Sequence, residues 1–284
     1  MDIKKIGVVG SGVMGSGIAQ LAAQSGCTVV MQDVADEFVK NGLGSIEKFL
    51  AKGIERGKVT EGQKNEVLSR IRGTTRIEDL KDANFIIEAV FEDLKVKQEV
   101  FEKIDGLVAP EVILCTNTSS ISITEIASAT KRPHKVAGMH FFNPAQLMKL
   151  VEVIRGYHTS DETIGTVIDL AKRMNKEPVE VKNDSPGFIV NRIMMPHFIE
   201  AIRIVEEGIA TVEDVDKAVK LGLNYPMGPF ELMDLTGNDI AHHVIEYLHN
   251  ELNKELKWSP PNLLKTLIRG GRLGRKTGGG WYDY

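Results

Sequence analysis

The sequence predicts an α/β protein: a doubly wound, mostly parallel sheet followed by an all-α C-terminal domain. Three observations predict it. Strand and helix patterns alternate from the N-terminus to about Asp184, the order that builds a parallel sheet with helices on both faces. A G-x-G-x-x-G run, Gly10 to Gly15, joins the first strand to the first helix. Beyond Asn183-Asp184-Ser185-Pro186-Gly187 strand patterns almost vanish and helical periodicity takes over. The expected domains are therefore residues 1–184 and 185–284.

Lys5-Ile6-Gly7-Val8-Val9 is short, apolar and β-branched, and reads as the first strand. In the turn Gly10-Ser11-Gly12-Val13-Met14-Gly15, Gly10 permits a tight bend. Gly12 lets the backbone approach a pyrophosphate, and Gly15 lets helix and strand pack closely. Ile18 to Ala23 continues with helical spacing and no proline. Phosphates would rest on that helix N-terminus, where unpaired N–H groups and the macrodipole favour negative charge. A second strand, Cys27 to Met31, ends at Gln32-Asp33. Asp33 stands at about the spacing, roughly 20 residues, of the acid that binds the adenosine ribose. Glycine makes up 27 of 284 residues, so the bare motif could be an ordinary turn; the flanking strands, helix and terminal acid make it specific. The reading is a Rossmann-type dinucleotide site with Gly10, Gly12, Val13, Met14, Gly15 and Asp33 at the cofactor. Asp33 would repel the 2′-phosphate of NADP, and Val34-Ala35-Asp36 supplies no Arg to bind it. NAD is the expected cofactor.

Ala35 to Arg72 is long, charged and helical in propensity, too large for one crossover helix. Lys52 to Lys58 reads as a basic turn between two helices, and Thr60-x-x-Gln63 as a capping box for the second. A helical hairpin protruding from the sheet, near residues 36–72, is expected. The alternation then resumes. Strands are expected at Asn84–Val90, Val112–Thr116, Lys135–His140 and Leu150–Ile154, with an edge strand near Val179–Val181. Helices are expected at Lys95–Ile104, Ser122–Ala129 and Asp161–Met174. In the C-terminal part, Ile189–Glu206, Thr211–Lys220 and Asp239–Lys257 read as helices, the first with Pro196 as a kink. The tail Gly278-Gly279-Gly280-Trp281-Tyr282-Asp283-Tyr284 is flexible and then aromatic, and is expected to dock.

Composition narrows the class. With 42% hydrophobic and 26% charged residues, the chain reads as globular. A net charge of −4 gives no global pull toward nucleic acid. No apolar run approaches the length of about 18 residues that a membrane span needs. The N-terminus runs straight into a strand, leaving no room for a signal peptide. Cys27 and Cys115 sit in expected buried strands and read as reduced core residues of a cytoplasmic protein.

Seven histidines occur. Only His140 and the Asn/Ser-rich strand ends fall outside the carboxyl ends of strands, where open α/β sheets bind ligands. Glu152 lies inside the next apolar strand, where a lone carboxylate is costly unless paired. A histidine is its natural partner, and the pair would suit a general base acting on an alcohol. The alternative is that His140 caps its strand and Glu152 faces solvent. No metal is expected: His242 and His243 are adjacent and read as a surface pair, and no H-x-x-x-H or C-x-x-C occurs. The basic turn around Lys52 and Arg56 is either solvated charge or a hold for the phosphates of a second anionic ligand.

Several motifs together resemble the 3-hydroxyacyl-CoA dehydrogenases: Asn117-Thr118-Ser119-Ser120, Gly138-Met139-His140-Phe141-Phe142-Asn143-Pro144, Leu150-Val151-Glu152-Val153, Pro186-Gly187-Phe188-Ile189-Val190-Asn191-Arg192 and Tyr225-Pro226-Met227-Gly228-Pro229-Phe230. They run through essentially the whole chain in the family's order, without an attached hydratase domain. The resemblance implies reversible hydride transfer between C3 of an (S)-3-hydroxyacyl-CoA and NAD. It makes His140 the base and Glu152 its orienting partner, with Ser119 and Asn191 holding substrate. Glu92, Lys97, Asn143 and Lys276 match positions at the nicotinamide half, and Ala89, Asn117 and Ser119 complete the cofactor set. Lys52 and Arg56 fall where the family binds CoA, in a looser match, with Arg56 where lysine is common. The helical C-terminal domain resembles the family's dimerisation domain, so a homodimer is expected. Two alternatives stay open: a protein of this fold that holds NAD without turnover, and a dehydrogenase of a hydroxy acid lacking CoA.

Overall fold

The structure, a computed structural model, describes residues 2–284. It divides into two compact units, one ending at Ser185 and one spanning Pro186–Tyr284.

The first unit runs β1 (Lys5–Val9), α1 (Val13–Gln24), β2 (Thr28–Gln32), α2 (Asp36–Glu55), α3 (Glu61–Ser69), β3 (Ile71–Thr74), β4 (Phe85–Glu88), α4 (Leu94–Leu107), β5 (Ile113–Thr116), α5 (Ile123–Ala127), β6 (Val136–Phe141), β7 (Leu150–Arg155), α6 (Asp161–Arg173) and β8 (Glu177–Val181). The strands form one sheet in the order β3-β2-β1-β4-β5-β6-β7-β8. Every neighbouring pair is parallel except β6 and β7, which run antiparallel with His140 opposite Glu152. Strands β4, β5 and β6 are buried along their whole length, as a sheet covered on both faces requires. Because β1 lies between β2 and β4, chain order reverses there, and the crevice at the carboxyl ends of β1 and β4 is the natural ligand site.

The region after β2 differs from expectation in three ways. Lys52 to Glu55 is still helix, so the turn begins at Arg56. The hairpin is no simple protrusion, because Ile46 and Leu50 of α2 and Val67 of α3 join the main core. After it comes β3, a strand the sequence reading did not predict, its first two residues falling in the helical segment; its pattern Ile-Arg-Gly-Thr is too short and polar to stand out. The capping box is present: Gln63 N donates to Thr60 Oγ1 at 3.2 Å and Thr60 N to Gln63 Oε1 at 2.9 Å.

The second unit is helical: α7 (Val190–Glu206), α8 (Val212–Gly222), α9 (Pro229–Thr236), α10 (Asn238–Glu251) and α11 (Asn262–Arg269). Helix α7 continues through Pro196. The long helix expected to Lys257 stops at Glu251, where Asn253 and Lys254 take left-handed backbone conformations. Helices α9 and α11 are too short to have shown a clear period. Phe198, Ile202, Phe230, Met233, Ile245 and Trp258 anchor a separate core. The aromatic tail docks on buried carboxylates: Asp234 accepts from Trp281 N and Tyr282 N, and Asp216 accepts from the Tyr282 hydroxyl. Among the described residues, no helix is long and apolar enough to cross a membrane.

Candidate active site

The turn after β1 meets the steric demands of a dinucleotide. Gly10 has φ +97°, and a Cβ on it would strike the Ala89 carbonyl at the end of β4; a Cβ on Gly15 would strike the Gly10 carbonyl. A Cβ on Gly12 would meet nothing within 4 Å, so the face over the turn is open. The first intrahelical bond of α1 is Ser16 N to Gly12 O. The amides of Val13, Met14 and Gly15 thus have no intrahelical acceptor and suit a phosphate. Asp33 ends β2 against this turn. Its Oδ2 accepts from Ser11 N and Ser11 Oγ, each at 2.7 Å, and its Oδ1 from Val34 N at 2.7 Å. The carboxylate is fixed, with lone pairs remaining for ribose hydroxyls. These residues fit NAD.

Across the crevice, the β6–β7 register brings His140 and Glu152 together. His140 Nδ1 lies 2.8 Å from Glu152 Oε2, with the residues 6% and 1% exposed. The solvent-facing alternative for Glu152 is excluded by that burial. An antiparallel pair places opposite side chains on one face of the sheet, so the contact follows from the register. Phe142 packs against the imidazole at a tilt of 48°, with ring centroids 4.5 Å apart. Asn117 Oδ1 accepts from Phe141 N at 2.9 Å, tying β5 to the end of the histidine strand.

The ends of β4 and β5 carry a charge network. Glu88 is 0% exposed and Lys97 1%. Lys97 Nζ lies 2.8 Å from Glu88 Oε1 and 3.3 Å from Glu92 Oε2. Thr116 Oγ1 donates to Glu88 Oε2 at 2.7 Å and Val90 N to Glu88 Oε1 at 2.6 Å. Glu92 Oε1 accepts from Thr118 Oγ1 at 2.5 Å, Ser119 N at 2.8 Å and Ser119 Oγ at 3.2 Å. Burial works against the charge on Glu92, but Lys97, the Thr118 hydroxyl and the Ser119 amide hold its carboxyl below the usual range. Glu92, Lys97 and Ser119, which the sequence reading put in one site, are thus linked.

The remaining expected residues stand on other segments of the chain. Asn143 is exposed at the start of the β6–β7 loop, before a cis bond to Pro144. Lys52 and Arg56 are exposed at the C-terminal end of α2, one helical turn apart and so on one face. Asn191 and Lys276 belong to the second unit: Asn191 is buried in the first turn of α7, and Lys276 Nζ pairs with Asp239 at 2.6 and 2.7 Å.

Sequence reasoning missed Glu88 and Lys176. Glu88 carries the signal that exposed Glu152, a carboxylate in an apolar strand, but lies at the strand's end, where polar residues are ordinary. Lys176 donates to the carbonyls of Ala145 at 2.6 Å and Met148 at 2.8 Å, closing the β6–β7 loop, and burial pushes its ammonium pKa down. Nothing local marked it.

A glycine turn shaped for a dinucleotide and a histidine–carboxylate pair on the same sheet define a nicotinamide-dependent oxidoreductase. The NAD binding domain of 3-hydroxyacyl-CoA dehydrogenase matches residues 5–185 and that enzyme's C-terminal domain matches residues 187–284. The chain belongs to the 3-hydroxyacyl-CoA dehydrogenase family, and NAD is its cofactor. It is similar to a 3-hydroxybutyryl-CoA dehydrogenase of Clostridioides difficile, at 48% identity over 99% of each chain. A probable 3-hydroxybutyryl-CoA dehydrogenase of Deinococcus radiodurans is 48% identical over 99% of this chain and 100% of that protein. Among solved structures, (S)-3-hydroxybutyryl-CoA dehydrogenase PaaH1 from Ralstonia eutropha superposes with a TM-score of 0.96 at 44% identity, over 100% of this chain and 99% of that one.

Proposed function

We propose that this enzyme interconverts (S)-3-hydroxybutyryl-CoA and acetoacetyl-CoA, with His140 as general base. The observation that carries the reading is the buried His140–Glu152 pair, set in the antiparallel register of β6 and β7; the names of the full-length relatives point to the substrate. NAD, when bound, supplies the acceptor for the hydride leaving C3. In the oxidising direction the imidazole takes the 3-hydroxyl proton through Nε2, the nitrogen away from Glu152, and returns it in the reverse direction. Glu152 holds the ring by Nδ1 and balances the charge that the proton brings. Ser119, anchored by Glu92, and Asn191 hold the substrate oxygen, an assignment that for Asn191 rests on the family resemblance alone. Glu92, Lys97, Asn143 and Lys276 serve the nicotinamide half, with Ala89 and Asn117 at the strand ends beside it.

One spectrophotometric assay tests the reading: acetoacetyl-CoA with NADH or NADPH. NADH is expected to be oxidised far faster, because Asp33 repels a 2′-phosphate, and Asp33→Ala is expected to narrow the difference. Equal wild-type rates with the two cofactors would remove the role given to Asp33. No oxidation with either would favour an NAD-holding protein without turnover. A preference for free acetoacetate over its thioester would favour a substrate lacking CoA.

Lys52 and Arg56 present two cations on one exposed helix face, a suitable cradle for the CoA phosphates. Replacing both by Ala is expected to raise KM for acetoacetyl-CoA several-fold and leave kcat less affected, since uniform binding is what is lost. An unchanged KM would place the CoA site elsewhere. The second unit leaves Ile193, Ile209, Leu221, Leu223 and Leu256 exposed, which supports a homodimer through this unit. Light scattering at micromolar concentration is expected to give twice the mass of one chain, and a monomer mass would refute it.

A further inference from the structure

The reaction as proposed gives Glu88 no task, yet it is a carboxylate sealed from water at the centre of the cofactor half of the sheet. Three donors replace its water: Lys97 Nζ, Val90 N and Thr116 Oγ1. Lys97 could be balanced by Glu92 alone, which lies 3.3 Å away. With Glu88 added, two carboxylates face one ammonium, and the triad carries one net negative charge. A buried surplus of this kind is poorly screened and acts over a longer range than a surface charge. It is costly to keep, which points to a use.

Its place supplies the use. In a doubly wound sheet each half takes one mononucleotide, and Asp33 marks the β1–β3 half for adenosine. Glu88 ends β4 and Glu92 follows in the next loop, so the triad flanks the other half. The nicotinamide ring there gains a positive charge on oxidation and loses it on reduction, while the rest of the cofactor keeps its charge. A fixed negative charge beside it binds the oxidised ring better than the reduced one.

We propose that Glu88 is a positioning residue that, through Lys97 and Glu92, supplies the surplus negative charge setting the relative affinity of this enzyme for NAD and NADH. The proposal rests on the placement of the nicotinamide beside Glu92. The surplus opposes the loss of the oxidised cofactor and biases the bound equilibrium toward the hydroxyacyl-CoA side.

The test is binding, not turnover: dissociation constants of the full chain for NADH by fluorescence and for NAD by competition. Glu88→Gln keeps size and neutral hydrogen bonding but removes the charge. It is expected to raise the ratio of the NAD to the NADH dissociation constant at least about fivefold, as a unit charge near the ring implies. The double variant Glu88→Gln/Lys97→Met restores one net negative charge and is expected to return the ratio to within about twofold of wild type. A purely structural role predicts the reverse, because the double variant loses more contacts. If Glu88→Gln does not fold, Lys97→Met against the double variant reads the same charge in a second background, with the higher ratio expected in the double. A ratio unmoved by Glu88→Gln but raised by Glu92→Gln overturns the proposal and leaves the cofactor placement standing. A ratio unmoved by both overturns the placement and the proposal with it.

Discussion

His140→Ala or His140→Gln is expected to lower kcat by at least about a hundredfold, close to 3 kcal/mol of barrier, with NADH affinity nearly unchanged. Hydride departure from C3 leaves a positive carbonyl carbon unless the hydroxyl proton leaves with it, so a base must sit within hydrogen-bond reach of that hydroxyl. The Nδ1 of His140 is engaged by Glu152 at 2.8 Å, which fixes the tautomer that presents Nε2 for proton transfer. Glu152→Gln is expected to lower kcat strongly too, because the imidazolium loses its partner charge in a site where Glu152 is 1% exposed. Steady-state kinetics of acetoacetyl-CoA reduction, beside NADH titration, read both effects. If His140→Ala kept most of its kcat while binding NADH normally, another group would be the base.

Asp234→Ala is expected to destabilise the second unit by about 3 kcal/mol or more, because it leaves buried donors without an acceptor. Asp234 Oδ1 accepts from Asn238 Nδ2 at 2.8 Å and Trp281 N at 2.9 Å, and Oδ2 accepts from Tyr282 N at 3.0 Å and the Tyr284 hydroxyl at 3.2 Å. With the carboxylate gone, the tail loses its anchor, and Trp281 loses its packing on Phe230, where ring centroids lie 4.6 Å apart. Thermal unfolding is expected to begin several degrees lower, with red-shifted tryptophan emission as Trp281 meets water. Asp234→Asn, which keeps one carbonyl acceptor, is expected to lose less. An Asp234→Ala protein within about 0.5 kcal/mol of wild type, the range of ordinary surface changes, would show that the tail docks by its aromatic rings alone.

Local pattern carried much of this protein. The strand–glycine turn–helix–strand–acid series from Lys5 to Asp33 is legible because each requirement of a dinucleotide turn is met by consecutive residues. The apolar strands around Phe85, Ile113 and Val136 are legible because burial on both faces leaves an unbroken apolar run. His140 and Glu152 stood out because each is chemically out of place in such a run.

What the sequence left open was decided by long-range pairing. Whether Glu152 met His140 or water depended on the direction and register of β7 against β6, and a one-residue slip would have turned Glu152 to the opposite face. Strand β3 was hidden because Ile71–Thr74 owes its shape to pairing with β2 and not to its own pattern. Only the resemblance singled out Lys97, and nothing local marked Lys176; both are buried cations because Glu88, and the Ala145 and Met148 carbonyls, come to meet them in the fold. The sequence by itself determined the alternation that builds a parallel sheet, the cofactor turn and the two residues, His140 and Glu152, proposed for the chemistry. Tertiary structure alone decided which charges would be buried together, because the partners of a buried charge lie far along the chain and only the folded backbone brings them within a hydrogen bond.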